Sequence, residues 1–556
     1  MLSTSRHAVT AREWRIAFAL AALLMTVTTI PYLLALASQR TDTFGGFLFG
    51  AVDGNSYIVK MREGATGDGL FHLIYSSEPE PGVVLFVPYL LAGKVAALVA
   101  PVNTPGFVTA ALLIFHLARI VCGMAMILAS FRFAALFLPA GRMRWLALIV
   151  ISFGGGFGWL LFMLGIGSWP NSLPIDLYVP EAYSFLMLYG LPHLALGRAL
   201  LLSGLILIST RQHWGATLAT GVAWLVMALS VPYDGVVLYA LLGVWGMALT
   251  IRHRRLPIRW ALRPAVAALF PAPVLLYSLL IVIRNPAFAI YNAQNVLPSP
   301  SPVFYGIGFV LPLIPACCGL RWAWRRAKQQ PLYALLIVWV ISAPILAYVP
   351  VSVQRRLIEG IWVPLCILAI AGLRFVIVPA LAHSQPLRQH ISTRRLWNYA
   401  LLVTLLLTLP TTGVLLLTGV LGAITHPAQI YHPASEIAAL DWLDAHTTPG
   451  AVVLSSFETG NYLPARTHVT AFQGHGVETL DAAAKLAAVS AFYNGQLTLA
   501  ALQTPAEQPI RYVFYGPFEQ TLMTDPHALA ASDLPQWAQG LTRIYDQGGY
   551  AIYAVP

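Results

Sequence analysis

A polytopic all-α membrane bundle of about eleven transmembrane helices, followed by a soluble α/β domain on the outer face, is the fold class this sequence predicts. Three observations predict it. Of 556 residues, 58% are hydrophobic and 10% charged, a balance that one water-soluble core cannot absorb. Long apolar runs recur, and they reach the roughly 17–25 residues that cross a hydrocarbon slab. Charge divides the chain: residues 1–425 hold 29 Lys and Arg against 11 Asp and Glu, whereas residues 426–556 hold 4 against 11. The division places a boundary near 425, with a transmembrane domain at 1–425 and an extracytoplasmic domain at 426–556.

The first run, 16–37, follows Arg6, Arg12 and Arg15 and lacks a small-residue cleavage site in a polar stretch after it. It reads as a retained helix whose N-terminus stays in the cytoplasm. Basic residues set the remaining topology, because Lys and Arg accumulate in short cytoplasmic loops. Arg132, Arg142 and Arg144 form one cluster, and Arg252, Arg254, Arg255 and Arg259 a second. Arg321, Arg325, Arg326 and Lys328 form a third, and Arg388, Arg394 and Arg395 a fourth. All four fall on one side with spans at about 16–37, 106–128, 145–166, 192–209, 215–230, 234–251, 262–283, 303–320, 332–350, 360–380 and 398–420. The odd count leaves the C-terminus outside, together with a large first loop, 38–104. Within that loop, 83–100 is apolar enough to cross, and counting it as a span would move the Arg132–Arg144 cluster outside. Pro88 and Lys94 favour a helix lying in the interface instead.

With this topology every acidic residue of 1–425 except Glu13 lies on the outer face. That asymmetry suggests outward-facing chemistry; the rival reading is only that cytoplasmic loops are short and basic. The net charge of +11 is a membrane signature and predicts no nucleic-acid partner. Cys122, Cys317, Cys318 and Cys366 all lie in apolar spans, so no disulfide or cysteine metal site is implied. A helix repeat, a nucleotide-binding glycine loop and an HExxH motif are all missing from the sequence, which argues against an ATP-driven pump or a zinc protease.

The outer domain begins at about 434 with an amphipathic helix in which Ile437, Leu440 and Leu443 share one face before Pro449-Gly450 stops it. A buried strand AVVLSS follows, then strand-like HVTAFQG, a helix TLDAAAKLAAVSAFY and a strand IRYVFYG. A hairpin, TRIYDQGGYAIYAV, turned by Gln547-Gly548-Gly549, closes the chain.

The first outer loop carries Asp53, Tyr57, Met61-Arg62-Glu63, Gly67-Asp68 and Glu78-Pro79-Glu80-Pro81, and the next span carries Ala118-Arg119. In order and spacing this resembles the C-type (GT-C) glycosyltransferase superfamily, in its aminoarabinose-transferase and protein O-mannosyltransferase branch. There a helix from the cytoplasm is followed by an Asp-Glu pair, a Tyr, an Ala-Arg-Glu stretch, a Gly-Asp and a Lys-Pro-Pro-Leu segment. Here Gly54 replaces the Glu of the pair, and an acidic Glu-Pro-Glu-Pro stands where a Lys is usual. The motifs cover about the first 130 residues, and topology and the outer domain cover the rest. The resemblance implies a GT-C-like glycosyltransferase of a prokaryotic plasma (inner) membrane. It would move a hexosyl or pentosyl group from a polyprenyl-phosphate sugar donor to an envelope lipid, glycan or protein acceptor.

The residues themselves suit that chemistry. Sugar transfer to a hydroxyl needs a carboxylate to accept the acceptor's proton and cations to stabilise the phosphate leaving group. Asp53, beyond the membrane edge, is the candidate base; the alternative is a loop Asp capping a helix that begins at Asn55. Arg355-Arg356, in a short outer loop against the positive-inside rule, is the candidate phosphate site; pairing with Glu359 or with lipid headgroups is its rival. Tyr57, Lys60, Glu78 and Glu80 complete the candidate substrate contacts of the first loop. In the second outer loop Glu181 and His193 either line a sugar pocket or hold a divalent cation, Mg²⁺ or Mn²⁺, with Asp53, although no spacing motif supports a metal. A polar cluster of Glu458, Asn461, Arg466, His475 and Glu478 binds acceptor or is a structural hydrogen-bond network. Two other functions compete with the transferase: a lipid-linked-sugar transporter, and a non-catalytic scaffold whose outer domain binds envelope polymer.

Overall fold

Apolar runs with no water to satisfy their backbone must become helices. In a computed structural model of the protein, which describes residues 8–166, 172–254, 258–384, 391–503, 507–523 and 535–556, seven helices among the described residues are long and apolar enough to cross a membrane. They are Ala11–Ala37, Gly106–Ala134, Pro192–Thr210, Pro232–His253, Pro302–Ala327, Gln354–His383 and Thr393–Thr425. A pair bent by 44°, Ala261–Ala268 and Ala272–Arg284, makes an eighth if it is one span. Of the eleven expected spans, two more form apolar helices, Trp214–Ser230 and Leu332–Leu346, that fall short of the ~20 residues a slab needs. The last, 145–166, is not one helix: it is interrupted between Arg142–Phe153 and Gly158–Met163. Arg6, Arg255 and Arg388 of the expected basic clusters lie outside the described residues.

The chain forms two compact units. The first, residues 1–30, 118–278 and 297–418, is helical. On its first helix Ala17 and Ala21 are buried while Phe18 and Leu23 are exposed, small residues inward and large ones outward as lipid-facing helices arrange them. The break in 145–166 falls at Gly154-Gly155-Gly156, three residues that each weaken a helix by about 1 kcal/mol. Their freed N–H groups find other acceptors: Gly155 donates to the Thr408 carbonyl at 2.7 Å, and Gly156 to the Asp176 carboxylate at 2.9 Å.

The second unit, residues 31–117, 279–296 and 419–556, combines the first loop with the C-terminal region. Helices Ala51–Ala65 and Val87–Val99 lie backbone to backbone. A Cβ at Gly93 would meet the Met61 carbonyl oxygen at 1.8 Å, and one at Gly64 the Leu90 carbonyl oxygen at 2.0 Å. With 13 residues, Val87–Val99 extends only about 20 Å, less than the ~30 Å hydrocarbon thickness.

Strands β1 (Asp42–Phe44) and β2 (Tyr431–Pro433) pair antiparallel, a long-range pairing with no local signal in the sequence. The remaining strands are β3 (Val452–Leu454), β4 (Thr470–Ala471), β5 (Ile510–Tyr515), β6 (Thr542–Gln547) and β7 (Tyr550–Ala554). They form one sheet in the order β4-β3-β5-β7-β6, parallel from β4 to β5 and antiparallel beyond. Side chains alternate between two apolar layers, as the two-residue period of a strand requires. Val452, Leu454, Val513 and Tyr515 join Phe492 and Trp537 on one face, while Val453 and Phe514 join Leu440 and Leu443 on the other. The expected helices appear at Ala434–His446 and Ala482–Tyr493, and Gly548-Gly549, both at positive φ, turn the expected hairpin. The first loop lies along this domain: Ala471 N–H donates to the Ile74 carbonyl at 3.0 Å and Gln508 N–H to the Ser77 carbonyl at 2.9 Å.

Candidate active site

Asp53 stands in the first turn of helix Ala51–Ala65, which begins after Gly50 in the left-handed region. The helix therefore starts four residues before Asn55, and no side chain caps it, so the alternative role of Asp53 as a cap for a helix at Asn55 is overturned. A carboxylate in this turn faces the positive end of the helix dipole. The Asp53 side chain is 59% exposed and meets His475 Nε2 at 3.3 Å. His475 Nδ1 accepts the backbone N–H of Val477 and of Glu478, at 3.3 and 3.2 Å. A neutral imidazole then carries its proton on Nε2 and donates it to Asp53. Gly54, the departure from the family's acidic pair, has a local cause: a Cβ there would lie 2.3 Å from Cγ of Phe47.

The rest of the helix is fastened to the C-terminal region by buried polar groups. Asn55 Nδ2 donates to Asn461 Oδ1 at 2.8 Å, and the Asn461 side chain donates to the Gly474 carbonyl at 2.9 Å. Lys60 is fully buried, 2.6 Å from Glu478, which also accepts from Ser56 at 2.6 Å. Burial would push the Glu478 carboxyl up, but Lys60, His475 and Ser56 together outweigh it and hold the group below the usual carboxylate range. A substrate could reach Lys60 only if this pair opened. Tyr57 stacks on Tyr89 with centroids 4.4 Å apart. Glu78 binds Lys485 at 2.8 Å, and Glu80 accepts from the Leu73 N–H at 3.1 Å. Of the polar cluster, Asn461, His475 and Glu478 thus belong to one hydrogen-bond network, Arg466 pairs with Asp441 at 2.9 Å, and Glu458 is exposed.

In the helical unit, Glu359 is engaged by Arg198, from which it accepts two hydrogen bonds at 2.6 and 2.9 Å. Arg356 approaches Glu181 at 3.8 Å and lies over the Tyr233 ring at 5.1 Å, and Tyr233 Oη donates to Glu181 at 3.5 Å. Arg355 covers the Tyr178 ring at 5.2 Å, and its buried Nε has no hydrogen-bond partner among the described residues. His193 is half-buried at the start of helix Pro192–Thr210. Arg119 donates to Thr28, Thr29 and the Leu188 carbonyl at 2.8–3.1 Å, a role within the bundle. Among the described residues no group of three or more His, Cys, Asp or Glu side chains is placed to hold a metal ion.

His475 and Glu478 stand out in the sequence as polar residues, but their partners do not. Asp53 and His475 are 422 residues apart, and Lys60 and Glu478 are 418 apart; no local spacing signals such pairs.

No family model matches the chain, and no curated protein matches it in sequence. In fold it is similar to the oligosaccharyltransferase of Archaeoglobus fulgidus in the apo form, with a TM-score of 0.54 at 12% identity over 98% of this chain and 75% of that one. It is also similar to the oligosaccharyltransferase AglB of that organism in complex with an inhibitory peptide and a dolichol-phosphate, with a TM-score of 0.51 at 11% identity over 96% and 74%. ArnT from Cupriavidus metallidurans bound to undecaprenyl phosphate aligns over 98% of both chains at 15% identity, with a TM-score of 0.45. The chain therefore shares the fold of these oligosaccharyltransferase structures, in agreement with the fold that the resemblance of its first-loop motifs implies.

Proposed function

We propose that this chain is a membrane glycosyltransferase that moves a sugar from a polyprenyl-phosphate donor to a hydroxyl of an envelope lipid, glycan or protein. The reading takes residues 1–425 as an eleven-span domain of a prokaryotic plasma membrane and 426–556 as its extracytoplasmic domain. The observation that carries it is Asp53: an exposed carboxylate at a helix N-terminus, oriented by His475, in a chain that shares the fold of the oligosaccharyltransferase structures.

In the proposed reaction Asp53 accepts the proton of the acceptor hydroxyl as that oxygen bonds to the anomeric carbon. The bond from this carbon to the phosphate oxygen breaks, and the phosphate leaves with the electron pair. Arg355 and Arg356 take the role of stabilising that departing charge, since guanidinium matches phosphate geometry with two parallel hydrogen bonds. His475 is a positioning residue, holding the Asp53 carboxylate through its Nε2–H. No step is assigned to a metal. The dolichol-phosphate in one neighbour's complex supports a lipid-phosphate donor in this fold.

The test follows radiolabelled sugar from a panel of polyprenyl-phosphate donors into envelope material, using membranes of matched protein content. Transfer by the wild type from at least one donor is expected. Arg356→Ala should raise the donor KM about tenfold or more and leave the acceptor KM nearly unchanged, because it removes charge from the leaving-group end. A second reading, a non-catalytic scaffold, is favoured by Gly54, where Phe47 occupies the space a second carboxylate would need. Well-folded wild type without transfer from any donor would select it.

A further inference from the structure

Arg62 is the one arginine of helix Ala51–Ala65, and its side chain is only 9% exposed. Arginine stays charged in proteins and brings five N–H donors, so burial without acceptors is costly. Yet the Arg62 guanidinium makes no hydrogen bond to any described residue. Its nearest carboxylate oxygen, on Asp444, is 3.9 Å away, beyond hydrogen-bond reach; the guanidinium lies over the Phe107 ring at 5.5 Å and is close enough to Arg466 to feel its like charge. The guanidinium borders a cavity of about 380 Å³ shared with Asn103, Asp441, Asp444, Arg466 and His468.

The other groups around this cavity are already held. Arg466 donates twice to Asp441, at 2.9 and 3.0 Å. Asp444 accepts the His468 backbone N–H at 2.8 Å and faces His468 Nδ1 at 2.9 Å, while His468 Nε2 meets the Thr447 carbonyl at 2.9 Å. These pairs fix the wall and leave two unmet needs, the donors of Arg62 and the spare lone pairs of Asp441 and Asp444. A free anion would satisfy Arg62 only by approaching the Asp444 carboxylate. A hydroxyl accepts from the guanidinium and donates to the carboxylate at once, so it fits the 3.9 Å gap without introducing like charge. The cavity volume lies in the range of small-molecule sites, roughly 300–1,000 Å³.

We propose that this cavity is a binding site for a neutral, hydroxyl-rich ligand, a carbohydrate unit of a glycan, with Arg62 as the donor that recognises it and Asp444 as the acceptor. The site lies about 13 Å along the same helix from Asp53, and it does not depend on the catalytic reading.

The experiment uses the full chain in lipid nanodiscs free of sugar-headed detergent. Saturation-transfer NMR and calorimetry would be run with maltotriose, xylotriose and mannotriose as neutral probes, and with trigalacturonate and inorganic phosphate as anionic ones. At least one neutral trisaccharide should bind saturably. Arg62→Met, which keeps the buried stem, and Asn103→Trp, which fills the cavity from its exposed rim, should each weaken that binding at least tenfold. Asp53→Asn should leave it intact. Failure of every neutral probe, binding unchanged in both variants, or binding of the anionic probes alone would overturn the proposal.

Discussion

Two aspartates, Asp53 and Asp176, show how one residue type is set to different work. Asp176 is 2% exposed, and one of its oxygens accepts from Gly156 N–H, Gly158 N–H and the Thr411 hydroxyl at 2.9, 3.0 and 2.7 Å. Burial raises its carboxyl above the usual range even against those hydrogen bonds. This is a clasp for an interrupted helix, with no face open to a substrate. Asp53 is 59% exposed, with a histidine contact at 3.3 Å. The lesson is that burial among converging donors makes one carboxylate a clasp, while exposure leaves the other within reach of a substrate.

Four substitutions sharpen or break the contrast. Asp53→Asn should lower sugar transfer by roughly 10²–10⁴-fold, while melting of the solubilised protein shifts little, since the dipole contact of an exposed carboxylate is worth about 0.3–1 kcal/mol. Glu478→Gln should do the reverse, costing about 3–5 kcal/mol by leaving Lys60 buried without its partner; thermal unfolding reads it, and a Lys60→Met, Glu478→Leu double variant should recover most of the loss. Asp176→Ala should cost about 3 kcal/mol by orphaning the N–H groups of Gly156 and Gly158, the Thr411 hydroxyl keeping the Gly156 carbonyl at 3.2 Å, with transfer per folded molecule close to wild type. Near-total loss of transfer in that variant at normal stability would erase the distinction between the two acids.

The smallest effect is expected at Glu63. Burial lifts its carboxyl well above the ordinary 4.5, opposed by the His72 N–H that it accepts at 2.8 Å. A carboxyl raised in the folded state favours folding while protonated, and its contribution falls as pH rises from the unfolded value through the folded one. Glu63→Gln keeps the acceptor and removes the charge. It should raise neutral-pH stability on the order of 1 kcal/mol, and it should flatten the decline of melting temperature with pH above the carboxylate range. A lower melting temperature at neutral pH would show that Glu63 is paired as an anion.

Much of the fold was legible because it rests on local periodicity. The strand Val452–Leu454, the helix Ala482–Tyr493 and the Gly548-Gly549 hairpin all carry their signals within a dozen residues. The span count was not, because hydropathy alone cannot see that Gly154-Gly155-Gly156 breaks its segment or that Trp214–Ser230 stops at 17 residues. The charge step at 425 marked a change in composition, yet the first loop packs in one compact unit with the C-terminal region through pairings such as Thr43 with His432. At the candidate site the sequence supplied Asp53 through a motif. Its orientation by His475, the use of Lys60 inside an ion pair and the idle guanidinium of Arg62 arise from residues hundreds of positions apart.

The central claim is that the Asp53 carboxylate takes the acceptor's proton, and chemical rescue tests it most directly. Asp53→Ala removes the base and leaves space at a side chain that is 59% exposed in the wild type, so a small carboxylate from solution can enter. Transfer by Asp53→Ala is expected to be roughly 10²–10⁴-fold below wild type and to rise with formate concentration, whereas added formate should not stimulate the wild type. Wild-type transfer by Asp53→Ala without formate would contradict the account.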